Sequence, residues 1–368
     1  MALPVQAVSL DVPAKSGVLM DVATGTLLYE QDAHTPLAPA SVTKVMTMLL
    51  IMEAIDSGRI SWDDTVTASE NAAAKGGSQI FLKAGECMTV ADMVKSIAVS
   101  SANDCACAMA EHIAGSEGAF VDRMNSRAKE LGMNDTHFVN CTGLDDEPEA
   151  ENHRTSAYDI ALMSRELLKN HPDIRQFTTI WMDTVRNGAF GLTNTNKLVR
   201  FYDGATGLKT GFTSAAGYCL SASAQRDGME LIAVVMHCDT SVNRFESAKA
   251  LLSYGFAGWC LVQPEPETAL APIPVTMGTA ETVTPVAESS APLLLEKGLQ
   301  KSVKCRTELL PETEAPVEQG QRLGTLTVEA DGNTVAEIPI VAREAVPRLT
   351  WGQLLLRLLR ALCMVGEK

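Results

Sequence analysis

A serine with a lysine three residues on can carry acyl-transfer chemistry, and the chain holds such a pair at Ser41 and Lys44 in "PLAPASVTKVMTMLLIMEA". On a helix, positions i and i+3 share a face. The hydroxyl becomes a nucleophile when a base removes its proton. A lysine is that base only if its pKa falls well below the usual value near 10.4, which burial or a second cation achieves. Two further clusters follow. Ser101-Ala102-Asn103 lies in "AVSSANDCACAMAEHIAG", and Lys209-Thr210-Gly211, the one K-T-G of the chain, lies in "DGATGLKTGFTSAAG". A strand-borne lysine and threonine suit a carboxylate, and glycine lets a substrate backbone approach the strand. Lys209 is then the expected second cation that depresses Lys44.

None of these clusters decides anything alone. Ser126-Arg127-Ala128-Lys129 repeats the first pattern, while Ser69-Glu70-Asn71 and Ser241-Val242-Asn243 repeat the second. Lys44 also fits a lysine whose head snorkels to water. Ser101 and Asn103 also fit helix caps, and Lys209 fits an exposed edge strand. The chemistry rests on the three clusters taken together and in order.

The surrounding elements must hold them in place. Residues 16–30, "SGVLMDVATGTLLYE", read as two strands joined at Ala23-Thr24-Gly25. A helix is expected from Ser41 to about Ile55, with its positive dipole end at Ser41. More helices are expected at 90–99, 102–114, 117–131 and 155–170. Residues 206–237 alternate as strands about a turn at Arg226-Asp227-Gly228, and a helix over about 244–254 follows. Strands at both ends with helices between argue for an α+β fold whose terminal strands share one antiparallel sheet.

Beyond Trp259 the Pro-rich "VQPEPETALAPIPV" gives way to strand alternation around Asp331-Gly332, an all-β pattern. In "PRLTWGQLLLRLLRALCMVGEK", Gln353, Arg357 and Arg360 form one polar stripe on an otherwise leucine-rich helix. From Trp351 to Val365 it spans roughly 22 Å, short of the roughly 30 Å hydrocarbon core. That suits a helix lying in a membrane interface with Trp351 at headgroup depth; the alternative is a helix docked on the protein's own β domain or on a second subunit.

Among 368 residues, 46% are hydrophobic and 20% charged, with a net charge of −15. No basic stripe is left to neutralise phosphates, so no nucleic-acid partner is expected. The nine cysteines are scattered, and Cys105 and Cys107 fall in an apolar helical pattern, so neither a disulfide framework nor a thiolate metal site is expected. The six histidines form no metal-binding motif, and no metal or cofactor is expected. Val5-Gln6-Ala7 resembles the tail of a signal cleavage site, as in an exported chain.

Together the clusters resemble the S-x-x-K, S-x-N and K-T-G set of penicillin-binding proteins and serine β-lactamases. "GSQIFLKAGE" (77–86), "VNCTGLDD" (139–146), "NTNKL" (194–198) and "GLKTGFTSAAGYCL" (207–220) narrow it, being similar to the D-alanyl-D-alanine carboxypeptidases of the low-molecular-mass penicillin-binding class. The resemblance implies a penicillin-binding, β-lactamase-like transpeptidase fold, an antiparallel sheet flanked by helices. It implies a catalytic domain over 1–261, a β-rich domain over 262–346, and an amphipathic membrane-associating helix over 347–368. Ser41 is then the acylated nucleophile and Lys44 its base. Ser101 relays protons to the leaving amine, and Asn103 binds the substrate's peptide amide. Lys209 and Thr210 hold the terminal carboxylate beside Gly211. The N–H groups of Ser41 and Phe212 make the oxyanion hole, and Arg244 is a further carboxylate candidate. His153, in "ENHRTSAYD", departs from the family's His-Tyr-Ser segment and is given no role, as a loop histidine.

The substrate implied is the peptidoglycan pentapeptide ending in D-Ala-D-Ala, with β-lactams as inhibitors, on the extracytoplasmic face of a bacterial cytoplasmic membrane. Two rival readings are weighed. A class A β-lactamase needs a glutamate to activate the deacylating water, but "DDEPEAEN" (145–152) reads as a solvated loop. A catalytically silent peptidoglycan-binding scaffold would not need every motif residue.

Overall fold

The computed structural model describes residues 10–146, 148–289 and 291–364, so the signal-like Val5-Gln6-Ala7 lies outside the described residues. Two compact units divide between Gly258 and Trp259. The division falls a little before the position expected after residue 261, because Trp259–Val262 leaves the preceding helix as a strand and pairs with Leu293–Glu296 in the second unit.

In the first unit, strands β1 (Ser16–Asp21) and β2 (Leu27–Gln31) form the expected hairpin. The Asp21 carboxylate accepts from the Thr24 N–H at 2.8 Å and hydroxyl at 2.7 Å, tying the turn. Strands β3 (Ala205–Thr213), β4 (Gly217–Arg226) and β5 (Met229–Cys238) complete an antiparallel sheet ordered β2-β1-β5-β4-β3. Between β4 and β5, Asp227 and Gly228 take φ of +49° and +79°, the two positive values that a tight hairpin requires. The terminal strands thus share one sheet, and β3, which carries Lys209-Thr210-Gly211, is an edge.

Helix α1 (Lys44–Asp56) is apolar nearly all round, and such a helix has to be central. Met46, Met48, Leu49, Ile51 and Met52 are buried in one cluster with Val18, Met20, Ile232, Val234 and Met236 of the sheet. Around it run α2 (Val90–Ser100), α3 (Asn103–Ala114), α4 (Glu117–Glu130) and α5 (Ala157–Asn170), each close to its expected span. The alternate residues Leu19 and Leu231 face the other side, where α6 (Ser241–Gly258) packs so tightly that a Cβ on Gly255 would come 2.4 Å from Leu231 Cδ1. Opposite faces of the sheet are therefore both covered.

The second unit carries a four-stranded sheet ordered Pro285–Ala287, Asn333–Ala342, Arg322–Ala330 and Lys304–Leu309, with a turn at Asp331-Gly332 as expected. A three-stranded sheet around Ile273–Thr276 encloses a separate small core with Val317, Leu323 and Val346. Helix α7 (Trp351–Met364) follows. Its Arg357 donates to the Glu281 carboxylate at 2.8 Å and to the Gly278 carbonyl at 3.3 Å. Trp351, Leu355, Leu356, Leu358 and Leu359 are exposed. Arg357 thus ties α7 to its own unit, while these apolar side chains are exposed.

Candidate active site

One short turn sets Ser41. Ala40–Thr43 is a 3₁₀ turn that runs into α1, so Ser41 precedes the α-helix rather than beginning it, and Lys44 is the first helical residue. Lys44 is fully buried, which excludes a snorkelling lysine. Its Nζ lies 2.8 Å from Ser41 Oγ and 2.8 Å from the Thr142 carbonyl. The ammonium donates along both contacts; a neutral amine in the same place accepts the serine proton instead. Burial brings the Lys44 pKa down to about 7, against the opposing pull of Cys141 and Asp104. The expected agent of that depression was the Lys209 cation. The leading cause is burial, and Lys209 is itself lowered, by its own burial first and then by the Lys44 and Arg244 cations.

The second cluster sits in the break between α2 and α3. Ser101 ends α2 in the left-handed region, at φ +64°, and α3 starts at Asn103 with no side-chain cap at Ala102. Ser101 is thus the C-cap of α2 through its backbone, but neither its side chain nor that of Asn103 caps a helix N-terminus. Asn103 Nδ2 donates to the Gly76 carbonyl at 2.7 Å, while its buried Oδ1 has no partner. A buried acceptor left open is costly unless a ligand's donor fills it. Asp104 follows and accepts from the N–H groups of Ile80 at 3.1 Å and Leu82 at 2.9 Å, pinning the loop that presents Ser78.

The third cluster faces the first across a narrow gap. A Cβ on Gly211 would fall 2.6 Å from the Pro39 carbonyl and 3.2 Å from Ser41 N, so only glycine lets β3 run this close to the Ser41 turn. Thr210 Oγ1 donates to Thr195 Oγ1 at 2.7 Å, and the buried Lys209 ammonium donates to the Thr210 carbonyl at 2.8 Å. Arg244 donates through Nη1 to the Gly211 carbonyl at 3.1 Å, and its buried Nε has no partner. Among the described residues no carboxylate pairs with it. Burial lowers its pKa. Such a cation favours an incoming anion.

Ser41, Ser101, Thr210, Gly211, Phe212 and Arg244 line one cleft of about 280 Å³. Lys44, Asn103 and Lys209 are buried beside these lining groups. Phe212 is 53% exposed and stacks on Tyr218 with ring centres 4.3 Å apart. Of the rival clusters, Ser126 lies within α4 and donates to its own helix at Asp122, Ser69 caps a helical turn, and Ser241 reaches the cleft lining only by accepting from Arg244 Nη2 at 3.3 Å.

Several participants escaped the sequence. Thr195, Ser78 and Tyr218 also line the cleft. Thr195 belongs to "NTNKL" and Thr142 to "VNCTGLDD", stretches already singled out, but the Thr142 contact is through a carbonyl, which no side chain advertises. His153 does lie in a loop, but a buried one, with Nε2 2.8 Å from Thr43 Oγ1. Glu149 and Glu151 are exposed and Glu147 lies outside the described residues, so no described glutamate of that loop lines the cleft. Glu53, Glu166 and His171 gather as a possible metal-binding group, but Arg127 already bonds both carboxylates, at 2.7 Å and 2.6 Å.

A profile described as D-alanyl-D-alanine carboxypeptidase matches residues 4–240, well over half of the chain. The chain belongs to the D-alanyl-D-alanine carboxypeptidase family. A second profile, the C-terminal domain of penicillin-binding protein 5, matches residues 266–348 of this carboxypeptidase. It is 43% identical to the D-alanyl-D-alanine carboxypeptidase DacF of Bacillus subtilis over 339 residues, 90% of this chain and 85% of that one. Penicillin-binding protein 5 from Haemophilus influenzae superposes with a TM-score of 0.79 at 31% identity, covering 92% of this chain and 98% of that one. The ampicillin-bound form of penicillin-binding protein D2 from Listeria monocytogenes gives 0.59 at 32% identity, covering 67% and 99%. The carboxypeptidase therefore has the penicillin-binding protein fold with an all-β C-terminal domain, as the motifs implied. It is a hydrolase of the serine peptidase type, and the β-lactamase and silent-scaffold readings find no support in these likenesses.

Proposed function

We propose that this D-alanyl-D-alanine carboxypeptidase works through an acyl-enzyme on Ser41. The observation that carries the reading is the fully buried Lys44 amine 2.8 Å from Ser41 Oγ. Neutral Lys44 takes the hydroxyl proton as Oγ adds to the carbonyl of the penultimate D-alanine of a peptidoglycan pentapeptide. The N–H groups of Ser41 and Phe212 hold the oxyanion, which the close approach of Gly211 to Ser41 N supports. Collapse breaks the peptide bond, and the terminal D-alanine leaves as an amine protonated by way of Ser101. Water then releases the shortened peptide. Asn103 Oδ1 accepts the substrate's amide N–H, and Thr210, Lys209 and Arg244 receive its terminal carboxylate. A β-lactam acylates the same serine; the ampicillin-bound relative supports that expectation.

The catalytic work belongs to residues 1–261, followed by the β-rich domain 262–346 and the segment 347–368 that carries helix α7. That helix lies on the extracytoplasmic face of the cytoplasmic membrane, as a member of the cell-wall machinery of an exported protein. The exposed Trp351 and leucines of α7 support an interfacial helix, and among the described residues no helix is long and apolar enough to cross a membrane.

Fluorescent penicillin tests the reading, alongside release of D-alanine from a diacyl-D-Ala-D-Ala peptide. Lasting label on the wild type, none on Ser41→Ala, and D-alanine release are expected. Rapid loss of label would point to a β-lactamase and absence of label to a scaffold, and either would overturn it.

A further inference from the structure

The peptide unit joining Ala40 to Ser41 is planar and trans, so its C=O and N–H point in opposite directions. Whatever fixes the Ala40 carbonyl therefore aims the Ser41 N–H. Thr43 Oγ1 donates to that carbonyl at 2.8 Å, and His153 Nε2 lies 2.8 Å from the same hydroxyl oxygen. The backbone N–H of Val139 donates to His153 Nδ1 at 3.2 Å. Nδ1 is thus an acceptor, the ring proton is on Nε2, and Nε2 donates to Thr43 Oγ1. The hydroxyl's own proton then has one destination, the Ala40 carbonyl. Ala40, Thr43 and His153 are all buried, so water does not compete.

Two features show that the carbonyl is held rather than resting there. Ala40 has φ +47°, a region that non-glycine residues occupy when their surroundings impose it. Gly143, at φ +80°, passes so close that a Cβ there would fall 1.8 Å from the Ala40 oxygen.

We infer that His153 and Thr43 form a positioning relay, running from the ring through the hydroxyl to the Ala40 carbonyl, that aims the Ser41 N–H at the oxyanion. Neither residue touches the reacting atoms. Burial, with smaller contributions from His137, Arg154 and Lys44, lowers the His153 pKa to about 3, so the ring stays neutral and the relay does not titrate with the base. The inference rests on the acyl-enzyme reading above.

The test is the rate of Ser41 acylation by benzylpenicillin, resolved into the binding constant and the first-order acylation step. Thr43→Val and His153→Leu should slow acylation by roughly 10- to 100-fold, as a misaimed oxyanion donor does, with binding little changed. Thr43→Ser, which keeps the hydroxyl, and His153→Gln, which keeps a donor near Nε2, should recover most of the rate. The pH midpoint of the residual reaction should stay where wild type has it, because Lys44 is untouched. The double variant should be no slower than Thr43→Val alone. If Thr43→Val folds poorly, the comparison of His153→Leu with His153→Gln serves in its place. Wild-type labelling on Ser41 together with full-rate acylation of the folded Val or Leu variants would sink the relay and leave the acyl-enzyme standing. Failure of the wild type to label Ser41 would sink the acyl-enzyme reading itself.

Discussion

Replacing Lys44 by methionine should abolish acylation and yet stabilise the catalytic unit at neutral pH and below. Methionine keeps most of the side chain's length in a fully buried site and removes the amine. Burial brings the native lysine down to about 7 from its usual 10.5, a gap worth roughly 5 kcal/mol in favour of the neutral form. Below pH 7 the lysine is protonated in both folded and unfolded chains, and the whole disadvantage of the buried cation is present. As pH climbs from 7 towards 10.5, the unfolded chain still holds the proton and the native one does not. Stability then rises with pH.

The advantage of Lys44→Met over wild type should therefore narrow by roughly 2 kcal/mol between pH 7 and pH 9. For a unit of this size that is about 4–8 °C in the thermal transition, read by calorimetry at the two pH values. Loss of the Lys44 cation also relieves Lys209, which acts in the same direction. Wild-type acylation should rise about tenfold per pH unit below 7 and level off above it. A stability gap that does not change between pH 7 and 9, or an acylation midpoint near 10, would refute the claim that burial sets the base.

Two further outcomes follow from the same geometry. Gly211→Ala should cut acylation by roughly 100-fold or more, since its Cβ would sit 2.6 Å from the Pro39 carbonyl and 3.2 Å from Ser41 N, the proposed oxyanion donor; stopped-flow penicillin binding reads this, and near-normal rates would contradict the close approach. Arg244→Leu should lower kcat/KM for a free-carboxylate peptide by roughly 10- to 100-fold and leave a C-terminal amide substrate unaffected, and equal losses on the two substrates would remove Arg244 as a carboxylate receiver.

Side-chain types and spacing singled out residues that the fold gathers at one cleft. Ser41, Lys44, Ser101 and Lys209 carry groups whose combination has few other uses, and strand alternation at both ends already implied the shared sheet. What stayed hidden was mostly backbone. The Thr142 carbonyl that accepts from Lys44 leaves no mark on the sequence and lies far along the chain. The turn at Ala40–Thr43 read as the start of an α-helix, because 3₁₀ and α turns share the same short-range pattern. His153 stood in a polar run, where nothing foretold burial against Thr43. The source of the lysine's depression was misassigned for a related reason: a neighbouring cation can be named from a motif, whereas burial depends on how the apolar residues of α1 close around the amine.

That burial links the fold's core to its reactivity. An amine at the start of a solvated helix would keep its proton; only a helix apolar on nearly every side, set at the centre of the unit, holds Lys44 near neutrality. Open polar atoms make the matching argument for the substrate. Of the buried side-chain atoms without partners among the described residues, Asn103 Oδ1 and Arg244 Nε belong to residues of the site, one an acceptor and the other a cationic donor. Each such atom costs about 1–3 kcal/mol in the free protein and recovers it when a complementary group arrives. On the proposed reading those groups are a peptide N–H and a carboxylate, which a chain ending in D-alanine presents together and an internal peptide bond does not. Specificity for a chain end then follows from pairing these two atoms, one acceptor and one cationic donor, in the same site.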